Sequence, residues 1–395
     1  MDGHVIVVGL GFGDEGKGAV VDALCHDRPV TAVVRFNGGA QAAHNVVAGG
    51  RHHTFSQFGS GTLAGVPTHL SRHVLVEPIA LAGEARELDA LGVADPLRLL
   101  SVDADALLTT PVHVAANRAR EDARGSARHG SCGKGIGETV WYGLLADRGA
   151  RRGQVVEEQE VIGEPGPPPR VGDCAEPAVL RRKLDALARF YEPLVGAGPS
   201  VDDLVSLYRD FAGAVRVTTG DEVGRLADRG RLVFEGAQGV LLDQRHGFHP
   251  HTTWSTVTPD NARALLGRRH ATVLGVTRTY QTRHGAGPLP TEDARVLARF
   301  PERHNGVGRY QGAWRAGHLD AVLLRYAVDA CGGVDGLAVT HLDADDLRVV
   351  TAHGAPPADL PDPVRWLEDH LGVPVVVTGA GPDRADYAVR ARAHR

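Results

Sequence analysis

The chain has 395 residues, with 43 basic against 48 acidic side chains and a net charge of −5, so no overall basic footprint points to nucleic acid. Its 43% apolar content is that of an ordinary globular protein, long enough for one elaborated domain or two. Four scattered cysteines, Cys25, Cys132, Cys174 and Cys331, form no C-x-x-C pair; this argues against a disulfide framework or a thiolate zinc site and fits a reducing cytoplasm, and no run is long enough to span a membrane.

In chain order, apolar runs predict strands at 5–9, 31–35, 73–77, 231–234, 272–277, 336–341 and 373–377. Helical patterning predicts helices at 17–25, 79–91, 177–196, 202–213, 260–267, 317–331 and 362–371, with Pro78 suited to a helix start. The alternation predicts an α/β fold, a large and mostly parallel twisted central sheet flanked by helices. Gly- and Pro-rich stretches at 163–173 and 353–362 mark loops or linkers, and about 175–230 reads as a helical insertion in a single domain over 1–395.

Residues Val5 to Val20, VIVVGLGFGDEGKGAV, set a buried-type strand before a glycine-rich turn and a helix. That layout cradles phosphate, because backbone N–H groups converge on the anion and the helix N-terminus adds partial positive charge. Gly11 to Lys17 fits G-x-x-x-x-G-K, but Gly18 stands where a Ser or Thr would hold Mg²⁺. The acidic pair Asp14–Glu15 would repel phosphate unless it binds the metal, handles a proton, or does both. A second glycine-rich segment, Arg35 to Asn45, follows a strand and is expected on the same sheet edge, where His44 either approaches a ligand or is a satisfied surface or core histidine. Gly125 to Gly137 reads either as a mobile anion-binding loop or as a plain surface loop. Phe234 to Ser255 carries His246, His249 and His251, which straddle Gly and Pro without helical register and so argue against zinc. Val276 to Glu292 is a further Gly- and Pro-bearing segment. In Gly306 to Asp320, Arg309 and Arg315 flank a glycine-bearing loop, either a carboxylate clamp or a solvated basic turn. Asp343, just past an apolar strand and paired with Thr378 to Arg384, either accepts the two hydrogen bonds guanine donates or caps a helix.

Together these segments resemble the adenylosuccinate synthetase family. Its first loop, WGDEGKGK, is matched by Phe12 to Ala19, and its GG-x-N-A-GHT is echoed by Gly38 to Asn45. Its GRGIG is similar to Gly133 to Gly137, its FEGAQG-x-LLD to Phe234 to Asp243, and its TR-x-G-x-GP-x-PTE to Thr282 to Glu292. Its T-K-L-D and GPDR are matched at Thr340 to Asp343 and Gly381 to Arg384, in family order over nearly the whole length. The resemblance implies that family's fold with a P-loop-like GTP site. It also implies a GTP- and Mg²⁺-dependent ligase of purine biosynthesis that phosphorylates the 6-oxo group of IMP and displaces phosphate with the amine of L-aspartate. A cytoplasmic homodimer, with neither nucleic acid nor membrane as partner, is implied too. By the same resemblance Asp14 is the base and, with the Ala43 carbonyl, a Mg²⁺ ligand. His44 is the acid that bonds the transferring phosphoryl oxygen, and Lys17 and Gln238 complete the catalytic set. Gly13, Glu15, Gly16, Gly18, Ala19, His341, Asp343, Gly379 and Gly381 fall at GTP positions. Gln41, Cys132, Gln238 and Thr253 fall at acceptor positions, and Arg309, Gln311 and Arg315 at amino-acid positions.

The chain departs from the family pattern mainly on the acceptor side. Gln41 replaces an Asn, Cys132 a Thr that holds the 5′-phosphate, and Lys134 the Arg of GRGIG. Glu138 to Arg152 replaces a stretch that carries an Arg to the partner subunit's phosphate site; Arg148, Arg151 and Arg152 are the candidates to substitute for it. Gly308 to Asp320 lacks the paired threonines of the family's amino-acid loop, and His341 replaces the Lys of T-K-L-D. A kept catalytic pair beside rebuilt clamps leaves open a paralogue with the same phosphoryl-activation chemistry on a different acceptor or amino acid. A non-catalytic GTP-binding protein is the alternative from another class.

Overall fold

Val5, Ile6, Val7 and Val8 are all buried, as a strand covered on both faces requires. The computed structural model, which describes residues 3–301 and 307–390, places that strand at the centre of a ten-stranded sheet. In chain order the strands are β1 (His4–Gly9), β2 (Ala32–Arg35), β3 (Thr68–Leu70), β4 (Leu100–Asp103), β5 (Arg216–Thr218), β6 (Leu232–Gly239), β7 (Ala271–Arg278), β8 (Gly336–Thr340), β9 (Val375–Gly379) and β10 (Tyr387–Val389). Across the sheet they run β5-β4-β3-β2-β6-β1-β7-β8-β9-β10. All neighbours are parallel except β10, which is antiparallel to β9. The α/β reading with a large, mostly parallel sheet is therefore correct.

The helices are α1 (Lys17–Asp27), α2 (Pro78–Ala90), α3 (Pro111–Arg124), α4 (Ile136–Arg148), α5 (Pro177–Val195), α6 (Val201–Ala214), α7 (Glu222–Arg229), α8 (Asp260–Leu266), α9 (Ala294–Arg299), α10 (Ala321–Ala330) and α11 (Pro363–Leu371). Glu77 caps α2 by accepting from the N–H groups of Ile79 and Ala80, with Pro78 at the first helical position. The 175–230 stretch comprises α5 and α6, then the sheet strand β5 and α7. Leu180, Leu184, Phe190 and Tyr208 from α5 and α6 join one core cluster with Trp141 and Tyr142 of α4. No helix among the described residues is long and apolar enough to cross a membrane.

Two expected elements differ. The run at 73–77 contributes only the short strand Leu75–Val76, which pairs with Leu107–Leu108 outside the main sheet. The sheet position belongs to β3, whose Thr68 and His69 are buried polar residues; His69 Nδ1 lies 3.0 Å from Ser101 Oγ on β4. The helix expected at 317–331 starts at Ala321, because Trp314–Gly317 pairs antiparallel with Gln281–His284 and Asp320 caps α10 at the Leu323 N–H.

Candidate active site

The loops after β1, β2, β6, β7, β8 and β9 all leave the carboxyl edge of the sheet, where open parallel sheets bind ligands. They enclose a cleft of about 1290 Å³. It is lined by Gly13, Asp14, Gly16, Lys17, Gly18 and Ala19 of the first loop, and by Gln41, Ala43 and His44 of the second. Cys132, Gln238, Thr253, Gln311, His341, Asp343 and Gly381 complete the set of predicted residues that line it.

The two loop carboxylates divide their tasks. Glu15 turns inward and is only 3% exposed. It accepts from the N–H groups of Gly11 (3.0 Å) and Gly13 (2.8 Å) and pairs with Lys17 Nζ at 2.5 Å. It therefore shapes the loop from within rather than lining the cleft. Asp14 faces the cleft, and among the described residues nothing donates a hydrogen bond to its carboxylate. Burial pushes its pKa up to about 6 against the pull of Lys17, which suits a group that takes and returns a proton near neutrality.

On the second loop, His44 Nδ1 lies 2.5 Å from Glu235 Oε1. Glu235, fully buried on β6, also accepts from Ser60 N–H (2.9 Å) and Ser60 Oγ (2.5 Å). Burial alone would raise its pKa, but Arg35, His44 and Ser60 outweigh it and hold the carboxyl at about 2. An ionised Glu235 can only accept, so Nδ1–H of His44 donates to it and Nε2 is left for the cleft. Burial lowers the pKa of His44 while Glu235 opposes that shift.

The acceptor and guanine sides are less uniform. Both amide atoms of Gln41 and Oε1 of Gln238 are shielded from solvent and have no partner among the described residues, as expected of groups that await a ligand. Burial raises the Cys132 thiol. Thr253 sits in a loop anchored by Asp243, whose carboxylate accepts from the N–H groups of Arg245, His246 and Val257. Asp343 is exposed at the cleft edge. Arg384 does not reach the cleft; it makes a bidentate pair with Asp22 of α1 at 2.6 Å and so pins the 380–387 loop.

Three other expected residues are placed outside the lining. Gly379 ends β9 and accepts from Leu342 N–H. Arg309 is exposed and pairs with Asp122 at 3.3 Å. Arg315 pairs with Glu292 and donates to the carbonyls of Gly285 and Gly287. The expected carboxylate clamp is thus committed to intramolecular partners, while Gln311 alone of that set lines the cleft. Gly306, at the start of that segment, lies outside the described residues. Arg148 lines the cleft but pairs with Glu157 at 3.0 Å. Among the described residues no group of three or more His, Cys, Asp or Glu side chains is placed to hold a metal ion.

Sequence reasoning missed Glu235, Ser60 and Arg278. The signal for Glu235 was present, an acid in the middle of an apolar strand, but its partner His44 lies 191 positions away.

The comparisons agree with this geometry. The family model for adenylosuccinate synthetase matches residues 6–353. The adenylosuccinate synthetase of Neisseria gonorrhoeae is 34% identical over 358 residues, covering 87% of this chain and 78% of that protein. That of Marinomonas sp. is 32% identical over 457 residues, with 98% of each chain covered. Among solved structures, fully ligated adenylosuccinate synthetase from Plasmodium falciparum superposes with a TM-score of 0.80 at 20% identity, covering 98% of this chain and 100% of the other. Cyanophage S-2L succinoaminodeoxyadenylate synthetase, bound to dGMP and dATP, gives 0.64 at 19% identity, covering 98% and 95%; both likenesses concern the fold. With its nucleotide loop, its buried His–Glu pair and a family match over most of its length, the chain belongs to the adenylosuccinate synthetase family.

Proposed function

We propose that the protein is a GTP-dependent carbon–nitrogen ligase that joins IMP to L-aspartate in purine biosynthesis. The observation that carries this is the pairing, in one cleft, of a free Asp14 carboxylate on the phosphate loop with a His44 oriented by Glu235.

The chemistry follows from the acceptor. A lactam C6 is a poor electrophile, because its oxygen leaves badly. Asp14 accepts the N1 proton, so that O6 attacks the γ-phosphorus; an O–P bond forms, and the bond to GDP breaks. His44, with Nδ1–H held by Glu235, donates from Nε2 to the transferring phosphoryl oxygens as the imidazolium, the form that Glu235 favours. The loop N–H groups and Lys17 cradle the phosphates. The aspartate amine then adds at C6, the C6–O6 bond breaks, and phosphate departs with O6 and takes up the proton that the amine sheds. Gln41 and Gln238, with unused buried amide atoms, supply donors and acceptors for the acceptor's ring.

Mg²⁺ fits these residues. The Asp14 carboxylate, to which nothing among the described residues donates, and the carbonyl of Ala43, both from residues that line the cleft, are the hard oxygens that would hold it. When bound there it neutralises phosphate charge. Asp343 reads guanine with its exposed carboxylate. A homodimer acting in the cytoplasm completes the reading; both features rest on the family resemblance, and light scattering tests the first.

One observation favours a second reading. Arg309 and Arg315 are already paired with Asp122 and Glu292, so an amine donor other than aspartate stays compatible with the rebuilt loop. The test is phosphate release from GTP with IMP and a panel of amino acids, with products read by mass spectrometry. The main reading requires adenylosuccinate to form only when GTP, Mg²⁺, IMP and aspartate are all present. Product with another amine and none with aspartate would favour the second.

A further inference from the structure

Among the described residues three buried cations line the cleft: Lys17, Arg283 and Arg278. Lys17 is paired with Glu15. Arg283 stacks 4.4 Å from the Phe12 ring and donates to the carbonyls of Ala286, Pro288 and His251, which pins its own loop. Arg278 is 6% exposed and, like Arg283, has among the described residues no carboxylate within ion-pair distance; it differs in reaching the Asp14 carbonyl and in keeping a buried Nε–H without a partner among those residues. Its hydrogen-bond partners are neutral, namely the Asp14 carbonyl (3.1 Å), Thr282 Oγ1 (3.2 Å), Tyr280 OH (2.7 Å) and His341 Nε2 (2.7 Å), while the Asp14 carboxylate acts on it only from beyond ion-pair distance.

His341 explains how that guanidinium is held. A guanidinium only donates, so Nε2 of His341 accepts and the ring is neutral. Its Nδ1–H then donates to Thr340 Oγ1 (3.0 Å), which donates to the Glu15 carbonyl (2.8 Å). Where the family motif has a lysine, this chain has a neutral acceptor that steadies an arginine from β7. The Tyr280 ring, 4.5 Å from the guanidinium, and the Trp314 ring, 5.9 Å away, face the same cation. A buried charge with no direct ionic partner is costly unless an anion arrives to face it.

We propose that Arg278 receives an anionic oxygen of a bound substrate beside Asp14, either from the γ-phosphoryl group of GTP or from a carboxylate of the amine donor. His341 and Tyr280 are positioning residues that hold the guanidinium there. The inference rests on the ligase reading above, and it makes Arg278 a catalytic or binding residue in addition to those matched by the family motifs.

The experiment is steady-state kinetics of Arg278→Gln and Arg278→Lys at varied GTP, IMP and aspartate, beside wild type and with thermal melting of each protein. Titration of each with a fluorescent GTP analogue runs in parallel. Wild type without ligase activity would count against the reaction itself, whereas only the variant-to-wild-type differences bear on Arg278. The expected result is a loss of about 100-fold or more in kcat/KM for Arg278→Gln, the scale of removing one charge-stabilising donor, with about tenfold recovered in Arg278→Lys and melting unchanged. A loss carried by the KM for aspartate assigns the donor carboxylate. A loss carried by kcat or by GTP-analogue affinity assigns the phosphoryl group. All values within about threefold of wild type would overturn the proposal, as would a loss that lysine does not relieve and that tracks a lowered melting temperature.

Discussion

Asp14, Gln238 and His341 hold left-handed backbone angles, with φ of 58°, 59° and 59°, that cost a residue with a side chain on the order of 1–3 kcal/mol each. All three line the cleft, as do Glu157 and Glu158 with the same sign of φ, whereas Asp95 and Asp346 do not. Asp14, Lys17 and His44 were legible in the sequence because glycine-rich loops announce a phosphate site at short range. The orientation of His44 was not, since Glu235 and Ser60 meet it only through the folded sheet. Glu235→Gln keeps the shape but replaces an acceptor-only carboxylate by an amide that can turn a donor toward Nδ1. We expect kcat to fall by about 10²–10³-fold with the KM for GTP little changed, checked by steady-state kinetics beside a melting curve. A kcat near wild type would remove Glu235 from the account.

At the scale of elements, the first loop owes its shape to Glu15 as much as to its glycines. A Cβ at Gly239, where β6 ends, would overlap the Gly11 carbonyl oxygen and the Glu15 carboxylate. Gly239→Ala is therefore expected to destabilise the fold by about 1–3 kcal/mol and to weaken GTP binding, measured by urea denaturation and nucleotide titration. An alanine variant with both properties intact would mean that the loop is held by something else. The strands β1, β2, β6, β7, β8 and β9 were readable from their runs of Val, Ile, Leu and Ala. The sheet half formed by β3, β4 and β5 was not, because these strands have three or four residues and bury Thr68, His69, Ser101, Asp103 and Thr218. Helix α3 was hidden by its charge-rich sequence; it starts at a Thr110 cap with Pro111 behind it. Helix α4 was hidden by the glycines that precede Ile136. The amino-acid loop shows the limit of motif reading: Arg309 and Arg315 stand at the expected place in the chain, yet their acidic partners come from α3 and from the segment before α9.

For the whole molecule, the strand order spreads outward on both sides of the β6–β1 pair, and this creates the crevice that the six loops share. The same packing buries histidines that cannot charge. Burial lowers His69 and His73 to about 4 and His113 to about 3. Above their ordinary pKa of about 6.5 both folded and unfolded chains are neutral at these sites. Below it the unfolded chain takes up protons that the folded chain refuses, so their stabilising contribution is lost as pH falls toward 4 and 3. His113→Phe, which keeps a ring against Tyr142 and Tyr191, should flatten the slope of unfolding free energy between about pH 6.5 and 5. An unchanged slope in urea denaturation would show that His113 does not contribute to it. The central claim is that this cleft activates a carbonyl oxygen by phosphorylating it. The direct measurement is turnover of IMP carrying a heavy oxygen isotope at O6, with GTP, Mg²⁺ and aspartate, followed by mass analysis of the phosphate released. The account predicts that the label moves from C6 into phosphate, one atom per turnover, and that Asp14→Asn abolishes the transfer. Unlabelled phosphate would mean that water, rather than the acceptor, takes the γ-phosphoryl group, and would contradict it.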